Sequence, residues 1–126
     1  MIEPRFLLDT NICFCLLEGL SDPARDRVEK HAPGEVVTSA ICYAELLRGI
    51  DMNAGAAVKI ERFFAQISVA DFGREAAAHY AALTFRRHSF ARLIAAHTLS
   101  LGLVLVTNNE ADFADVAGLV TENWTL

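Results

Sequence analysis

The first apolar run of the chain is Phe6-Leu7-Leu8, and it ends directly on three polar side chains, Asp9-Thr10-Asn11. A short apolar run of this kind is typical of a buried strand in a parallel sheet. Open sheets of this type carry their functional residues just beyond the carboxyl ends of the strands. The sequence therefore predicts that Asp9 lies at the edge of a sheet, in a functional site.

Four more apolar runs follow and alternate with stretches of helical character. The predicted strands are Phe6 to Leu8, Val36 to Thr38, Ile67 to Ala70, Leu103 to Thr107 and Leu119 to Glu122. This alternation predicts an α/β fold, with a central, mostly parallel sheet and helices on both faces. A chain of 126 residues has the length of one domain, so we expect residues 1–126 to fold as a single unit.

Polar residues mark where the predicted helices begin. Asn11 is the expected N-cap of the first helix, and Thr38 or Ser39 is the expected cap of the helix that carries Glu45. The segment from Ala91 to Ser100 is apolar on almost every side, which predicts a central helix that leads into a buried strand.

The composition argues against several classes of protein. The chain is 53% hydrophobic, but its apolar runs are far shorter than the roughly 18 residues of a membrane span. Its first residues lack the pattern of a signal peptide, so we expect a cytoplasmic protein with no membrane association. The three cysteines have no metal-binding spacing and are expected to be small buried hydrophobes.

A formal net charge of −5 argues against broad electrostatic capture of nucleic acid. An RNA enzyme of this charge needs a local basic patch or a bound metal. Two groups of basic residues are candidates for such a patch. The first lies just before the predicted central helix and at its start. The second is explained equally well as side chains on ordinary exposed helix faces. The first group is Arg86, Arg87, His88 and Arg92, and the second is Arg25, Arg27, Lys30 and His31.

Two acidic residues occupy positions where a carboxylate is costly to bury. Glu45 lies in an apolar stretch of a predicted helix, and Asp9 approaches the same region from the end of the first strand. Converging carboxylates repel each other, and a divalent cation removes that repulsion while it creates a catalytic group. Oxygen ligands suit Mg²⁺ or Mn²⁺, so the pair predicts a metal site in which Thr10 and Asn11 hold Asp9. The alternative is that Asp9 caps a helix and Glu45 is an exposed residue.

Five short motifs, in this order, resemble the VapC-type toxins among the PIN-domain ribonucleases. The motifs are Leu8-Asp9-Thr10-Asn11, Ser39 to Leu47 with Glu45, Leu93-Ile94-Ala95-Ala96-His97, Val106-Thr107-Asn108-Asn109 and Glu122-Asn123-Trp124. The resemblance covers nearly the whole chain. It implies a PIN-like fold and an endoribonuclease toxin of a type II toxin–antitoxin pair, which cleaves RNA with clustered acids and Mg²⁺ or Mn²⁺.

The resemblance assigns the acids residue by residue. The first family acid falls on Asp9 and the second on Glu45, but the third falls on Ala91, which offers no oxygen to a metal. The fourth falls on Asn109, and Asp112 is its expected substitute in the catalytic set. Because the motif around Ala91 is otherwise intact, we interpret this alanine as an introduced replacement of aspartate, which leaves the chain impaired or inactive.

The resemblance also implies partners. These are a VapB-like antitoxin that blocks the cleft, a second copy in a homodimer, a larger assembly that binds its operator DNA through the antitoxin, and a structured RNA substrate such as initiator tRNA. Two other functions compete. Ala91 favours a catalytically silent antitoxin-binding module, and Asp9 as a nucleophile suits a small phosphotransfer domain. Against the latter, Asn11 stands where a common phosphatase pattern needs a second acid, and the sequence has no glycine-rich phosphate-binding loop. As a separate expectation, His97 is a core residue rather than a general base.

Overall fold

The structure is a computed structural model that describes residues 2–49, 54–87 and 89–126. Its strands are β1 (Phe6–Leu8), β2 (Val36–Ser39), β3 (Ser68–Ala70), β4 (Val104–Val106) and β5 (Thr121–Glu122). They form one sheet in the order β3-β2-β1-β4-β5, and all neighbouring strands in it are parallel. The predicted α/β fold is therefore confirmed, and the observed strands differ from the predicted ones only at their ends.

The helices are α1 (Thr10–Glu18), α2 (Asp22–Glu29), α3 (Ala40–Gly49), α4 (Ala54–Gln66), α5 (Arg74–Ala82) and α6 (Phe90–Leu101), and a short 3-10 helix spans Glu110–Phe113. Gly19 is the C-cap of α1 and Gly102 the C-cap of α6, and both have a positive φ. Within the described ranges, no helix is both long and apolar enough to span a membrane.

The central strand β1 is buried from both faces of the sheet. Phe6 and Leu8 belong to one apolar cluster, which includes Trp124, whereas Leu7 belongs to a second cluster with Leu105. This division follows from the pleat, because successive side chains of a strand point to opposite faces. Burial of each such side chain contributes about 1.5–3 kcal/mol, so the run that opens the chain is also a main source of stability.

The order of the strands creates a switch point beside β1. The chain adds β2 and β3 on one side of β1, and then places β4 on the other side, with Leu8 in register with Val106. Open parallel sheets bind ligands at such reversals, beyond the carboxyl ends of the two strands. Asp9 follows β1 at this edge, and Thr107 follows β4.

The first helix begins earlier than predicted. Asp9, not Asn11, is the N-cap of α1, and its Oδ1 accepts a hydrogen bond of 2.9 Å from the backbone N–H of Ile12. The prediction of Asn11 was wrong because the carboxylate at the strand end already satisfies the free amide of the first turn. Of the two predicted caps of α3, Ser39 is the one used, since its Oγ accepts a hydrogen bond from the backbone N–H two residues later.

Candidate active site

A cavity of about 200 Å³ opens at the switch point. Its lining comes from the end of β1 with the start of α1, from α3, from the start of α6, and from the segment after β4. The lining residues are Asp9, Thr10, Asn11, Glu45, Ala91, Ile94, Asn109, Asp112 and Phe113. The structure therefore brings together the predicted acids and Ala91. A larger cavity of about 370 Å³ lies by the opposite ends of β2 and β3, and its lining includes a single acid, Glu29.

Asp9 is buried at the base of this cavity, with 6% of its surface exposed. Burial raises the pKa of its carboxyl above the ordinary value, and the negative charge of Glu45 raises it further. Hydrogen bonds from the Thr107 side chain and the Ile12 backbone act in the opposite direction. The cavity lining contains no Lys or Arg, so a bound cation would find an uncompensated carboxylate here. Helix cap and site residue are thus compatible roles for Asp9.

Glu45 is half-buried on α3 and is held by a residue from another helix. The hydroxyl of Thr10 donates a 2.7 Å hydrogen bond to Glu45 Oε1. This differs from the predicted arrangement, in which Thr10 holds Asp9. The reason is geometric, because the first turn of α1 packs beside α3, and the backbone of that turn already serves Asp9.

The segment after β4 presents Asp112. The side-chain amide of Asn109 donates a 2.6 Å hydrogen bond to Asp112 Oδ2, and the backbone N–H of Asn109 donates to the Thr107 hydroxyl. Asn109 was predicted as a supporting residue, and Asp112 as the acid that takes the place of the fourth family acid. The structure shows that Asn109 orients Asp112. Thr107 was not predicted, although a polar residue directly after a buried strand was a usable signal.

The donor chemistry of the cavity suits a hard divalent cation, but the set is incomplete in this chain. Asp9, Glu45 and Asp112 offer carboxylate oxygens, whereas Ala91 offers none. In the part of the chain that the structure describes, no three His, Cys, Asp or Glu side chains lie close enough together to hold a metal ion. The residues present do not complete a metal site.

The structure divides the predicted basic patch. Arg92 is 3% exposed, and its Nη2 donates to both carboxylate oxygens of Asp115, at 2.8 and 2.6 Å. Its predicted contact with RNA is not compatible with this burial and pairing. Arg86 also donates to Asp115, at 2.8 Å, but its side chain is 56% exposed. Arg87 is exposed, and His88 lies outside the described residues.

Two residues of the second basic group contact residues near the end of the chain. Arg27 forms a 3.2 Å ion pair with Glu122 and lies over the ring of Trp124. His31 stacks on the same ring, with centroids 5.3 Å apart. Arg27 and His31 therefore pack against the C-terminal segment of the chain, which neither an RNA-binding patch nor a freely exposed helix face predicts.

His97 is a core residue, as predicted. It is 1% exposed, its Nδ1 lies 2.7 Å from Ser39 Oγ, and burial lowers its pKa. It thereby joins α6 to the start of α3, and it is absent from the lining of the acid cavity.

The chain places an acid-lined cavity at the switch point of a five-stranded parallel sheet, and the family model described as PIN domain matches residues 6–119. The chain is 33% identical to the tRNA(fMet)-specific endonuclease VapC of Shigella flexneri, an alignment that covers 96% of this chain and 98% of the relative. It is 32% identical to the ribonuclease VapC2 of Haemophilus influenzae, over 95% of this chain and 98% of the relative.

Solved structures of VapBC proteins have a fold similar to that of this chain over nearly its whole length. A chain of VapBC2 from Rickettsia felis, crystallised with a DNA fragment from its promoter, superimposes with a TM-score of 0.82 at 26% identity, over 95% of this chain and 98% of that chain. A chain of DNA-bound VapBC from Salmonella typhimurium gives a TM-score of 0.81 at 26% identity, over 96% and 98%. The chain belongs to the VapC ribonucleases of the PIN-domain family.

Proposed function

We propose that this chain is a type II toxin–antitoxin endoribonuclease that depends on Mg²⁺ or Mn²⁺, and that Ala91 leaves it impaired or inactive. The observation that carries the proposal is that Asp9, Glu45 and Asp112 line one cavity together with Ala91. Three separate parts of the chain supply these acids, which is expected of a built site rather than of a local cluster. Aspartate at position 91 would add the missing oxygen ligand.

The proposed catalytic acids are held in fixed orientations by hydrogen-bond donors. Ile12 N–H holds Asp9, the Thr10 hydroxyl holds Glu45, and Asn109 holds Asp112. Carboxylates held in this way can orient an attacking water and accept its proton. In the complete site, a divalent cation would supply the positive charge that stabilises the phosphate during cleavage.

The proposed substrate is a structured RNA such as initiator tRNA, because the Shigella relative is named for tRNA(fMet). Arg86 and Arg87 are the proposed phosphate contacts, since both are exposed in the segment before α6. We further propose a VapB-like antitoxin, a homodimer and an assembly that binds operator DNA, in line with the DNA-bound VapBC relatives. One domain of residues 1–126 in the cytoplasm would account for all of these roles.

A catalytically silent, antitoxin-binding module is the second candidate, and Ala91 is the observation that favours it. The phosphotransfer alternative has less support, because Asn11, not an acid, lines the cavity beside Asp9.

Cleavage by the Ala91→Asp protein tests the proposal. The three proteins to compare are the unchanged chain, Ala91→Asp, and Ala91→Asn as a control of equal size without the charge. Each is incubated with initiator tRNA and Mn²⁺ or with EDTA, and products are resolved on gels. We expect Ala91→Asp to cleave about 100-fold faster or more with Mn²⁺, since a metal supplies several kcal/mol of charge stabilisation. Asp9→Ala in that background should abolish cleavage.

Two results would contradict this proposal. Full activity of the unchanged chain with Mn²⁺ would show that position 91 is not a required ligand and that Asp112 carries more of the site. Binding of a partner antitoxin without cleavage by Ala91→Asp would favour the silent module.

A further inference from the structure

Two phenylalanines are strongly exposed in the segment that leads to Ala91 and the acid cavity. Phe85 is 75% exposed and Phe90 is 56% exposed. The chain has eight phenylalanines, all in the described ranges, and the other six are less exposed than these two. Single exposed apolar residues are ordinary. Two strongly exposed aromatic side chains in one short segment, which leads directly to Ala91 in the cavity lining, need an explanation.

The segment that carries them is fastened to the rim of the cavity. Phe90 directly precedes Ala91, which lines the cavity. On the other side, Arg86 donates to the same Asp115 carboxylate that holds buried Arg92. Leu83, two residues before Phe85, packs in the apolar cluster that also contains Ala91. Phe85, Arg86, Arg87 and Phe90, here called the rim segment, are therefore anchored next to the acids.

The charges of the rim segment suit a polyanion. Arg86 and Arg87 lie between the two aromatic residues and are exposed. The cavity itself is lined by acids without a Lys or Arg, so phosphates must be attracted from its rim. An apolar helix of a protein partner would require a continuous apolar face, whereas these rings are interrupted by charged side chains. Rings interleaved with arginines are the usual combination for binding single-stranded nucleic acid.

We propose that Phe85 and Phe90 are base-stacking residues that hold unpaired nucleotides at the rim of the acid cavity, with Arg86 and Arg87 on the adjacent phosphates. The inference rests on the proposed ribonuclease function and identifies the side chains that would hold unpaired nucleotides, either in single strands or in loops of a structured RNA. Bases in a duplex are stacked on each other and cannot lie against protein rings.

RNA binding by the unchanged chain tests this inference, because Ala91 allows binding to be measured without turnover. The probe is a fluorescein-labelled RNA of about 12 nucleotides, a length that fits known single-strand sites. It is compared with the same sequence as a duplex, by fluorescence anisotropy in EDTA. The variants are Phe85→Leu and Phe90→Leu, which stay apolar but lose the ring, and Phe85→Tyr and Phe90→Tyr, which keep it.

Leu20→Ala is the matched surface control. Leu20 is 64% exposed and follows the far end of α1, about 13 Å along the helix axis from the cavity. Because both phenylalanines are exposed, the variants should fold normally, which thermal unfolding checks. We expect each leucine variant to weaken binding of the single strand by about 5- to 100-fold, while the tyrosine variants and Leu20→Ala stay within about twofold. Duplex binding should be weaker and should not respond to these changes.

Three results would overturn the inference. These are no binding of single-stranded RNA by the unchanged chain, equal binding by the leucine variants, or equal preference for the duplex. Loss of binding to an antitoxin, with unchanged RNA binding, would assign the rim segment to a protein partner instead. Cleavage by Ala91→Asp is scored separately, so normal cleavage with no effect of the leucine variants refutes base stacking alone. A stacking effect without any cleavage refutes the proposed enzyme alone.

Discussion

The Ala91→Asp exchange should destabilise the metal-free protein and make its stability depend on metal. Residue 91 is the second residue of α6. Aspartate has a lower helix propensity than alanine by about 0.7 kcal/mol. An acid in the first turn regains about 0.3–1 kcal/mol from the helix dipole. These two local effects nearly cancel, so charge repulsion in the cavity decides the outcome.

The repulsion can be approximated from the lining of the cavity. The new carboxylate would join buried Asp9 and half-buried Glu45, and the lining has no Lys or Arg. A single neighbouring charge about 7 Å away repels the new carboxylate by about 2 kcal/mol at an effective dielectric constant of about 20, and with two neighbouring acids this value is a minimum. For a domain of this size, that loss lowers the melting temperature by roughly 6–10 °C. Mn²⁺ at about 100 times its Kd returns about 2.7 kcal/mol, which offsets the repulsion from one neighbouring acid, and about 1,000 times its Kd returns about 4.1 kcal/mol.

Thermal unfolding followed by circular dichroism measures this effect. The unchanged chain, Ala91→Asp and the uncharged Ala91→Asn control are melted in EDTA and over a series of Mn²⁺ concentrations. Only Ala91→Asp should melt low in EDTA and rise strongly with Mn²⁺. Equal Mn²⁺ stabilisation of all three proteins would refute the assignment of position 91 as a ligand. Normal melting of Ala91→Asp in EDTA would refute the calculated repulsion.

Two further exchanges test the charges around the site. Asp9→Asn should raise the melting temperature at neutral pH, because burial raises the pKa of Asp9 and asparagine can still accept the Ile12 hydrogen bond. Because the pKa of Asp9 is higher in the folded protein than its ordinary value of 3.8, the stability of the unchanged chain falls as pH rises from 3.8 through the raised pKa. The stabilisation by Asp9→Asn should therefore vanish on acidification. A stabilisation that is the same at every pH would contradict this account. Asp115→Ala should lower the melting temperature more than Arg86→Ala, because it leaves Arg92 buried without a counter-charge. The hydrogen bond from Arg92 holds the pKa of Asp115 below its ordinary value. The loss of stability in Asp115→Ala should therefore be greatest above the ordinary pKa of Asp and shrink as pH falls through the lowered pKa. A larger loss of stability in Arg86→Ala than in Asp115→Ala would count against the Arg92–Asp115 ion pair.

The architecture and the positions of the acids were predictable because their signals are local. A three-residue apolar run that ends on a carboxylate predicts both a buried strand and a residue at its edge, and β1 with Asp9 has this form. Glu45 stood out because its neighbours along the helix are apolar. Cap positions were less certain, since Asp9 and Asn11 are both good caps and only the backbone path selects between them.

By itself, the sequence determined the parallel sheet, its central strand and the position of Asp9 at the end of that strand. These features depend on short stretches of neighbouring residues. Only the tertiary structure decided which side chains meet. Thr10 donates a hydrogen bond to Glu45, 35 residues away. Arg92 donates to Asp115, 23 residues away, and is buried instead of facing RNA. The first pair depends on the packing of α1 against α3, and the second on the packing of α6 beside the 3-10 helix. No local pattern specifies them, because each partner would be equally acceptable as an exposed polar residue.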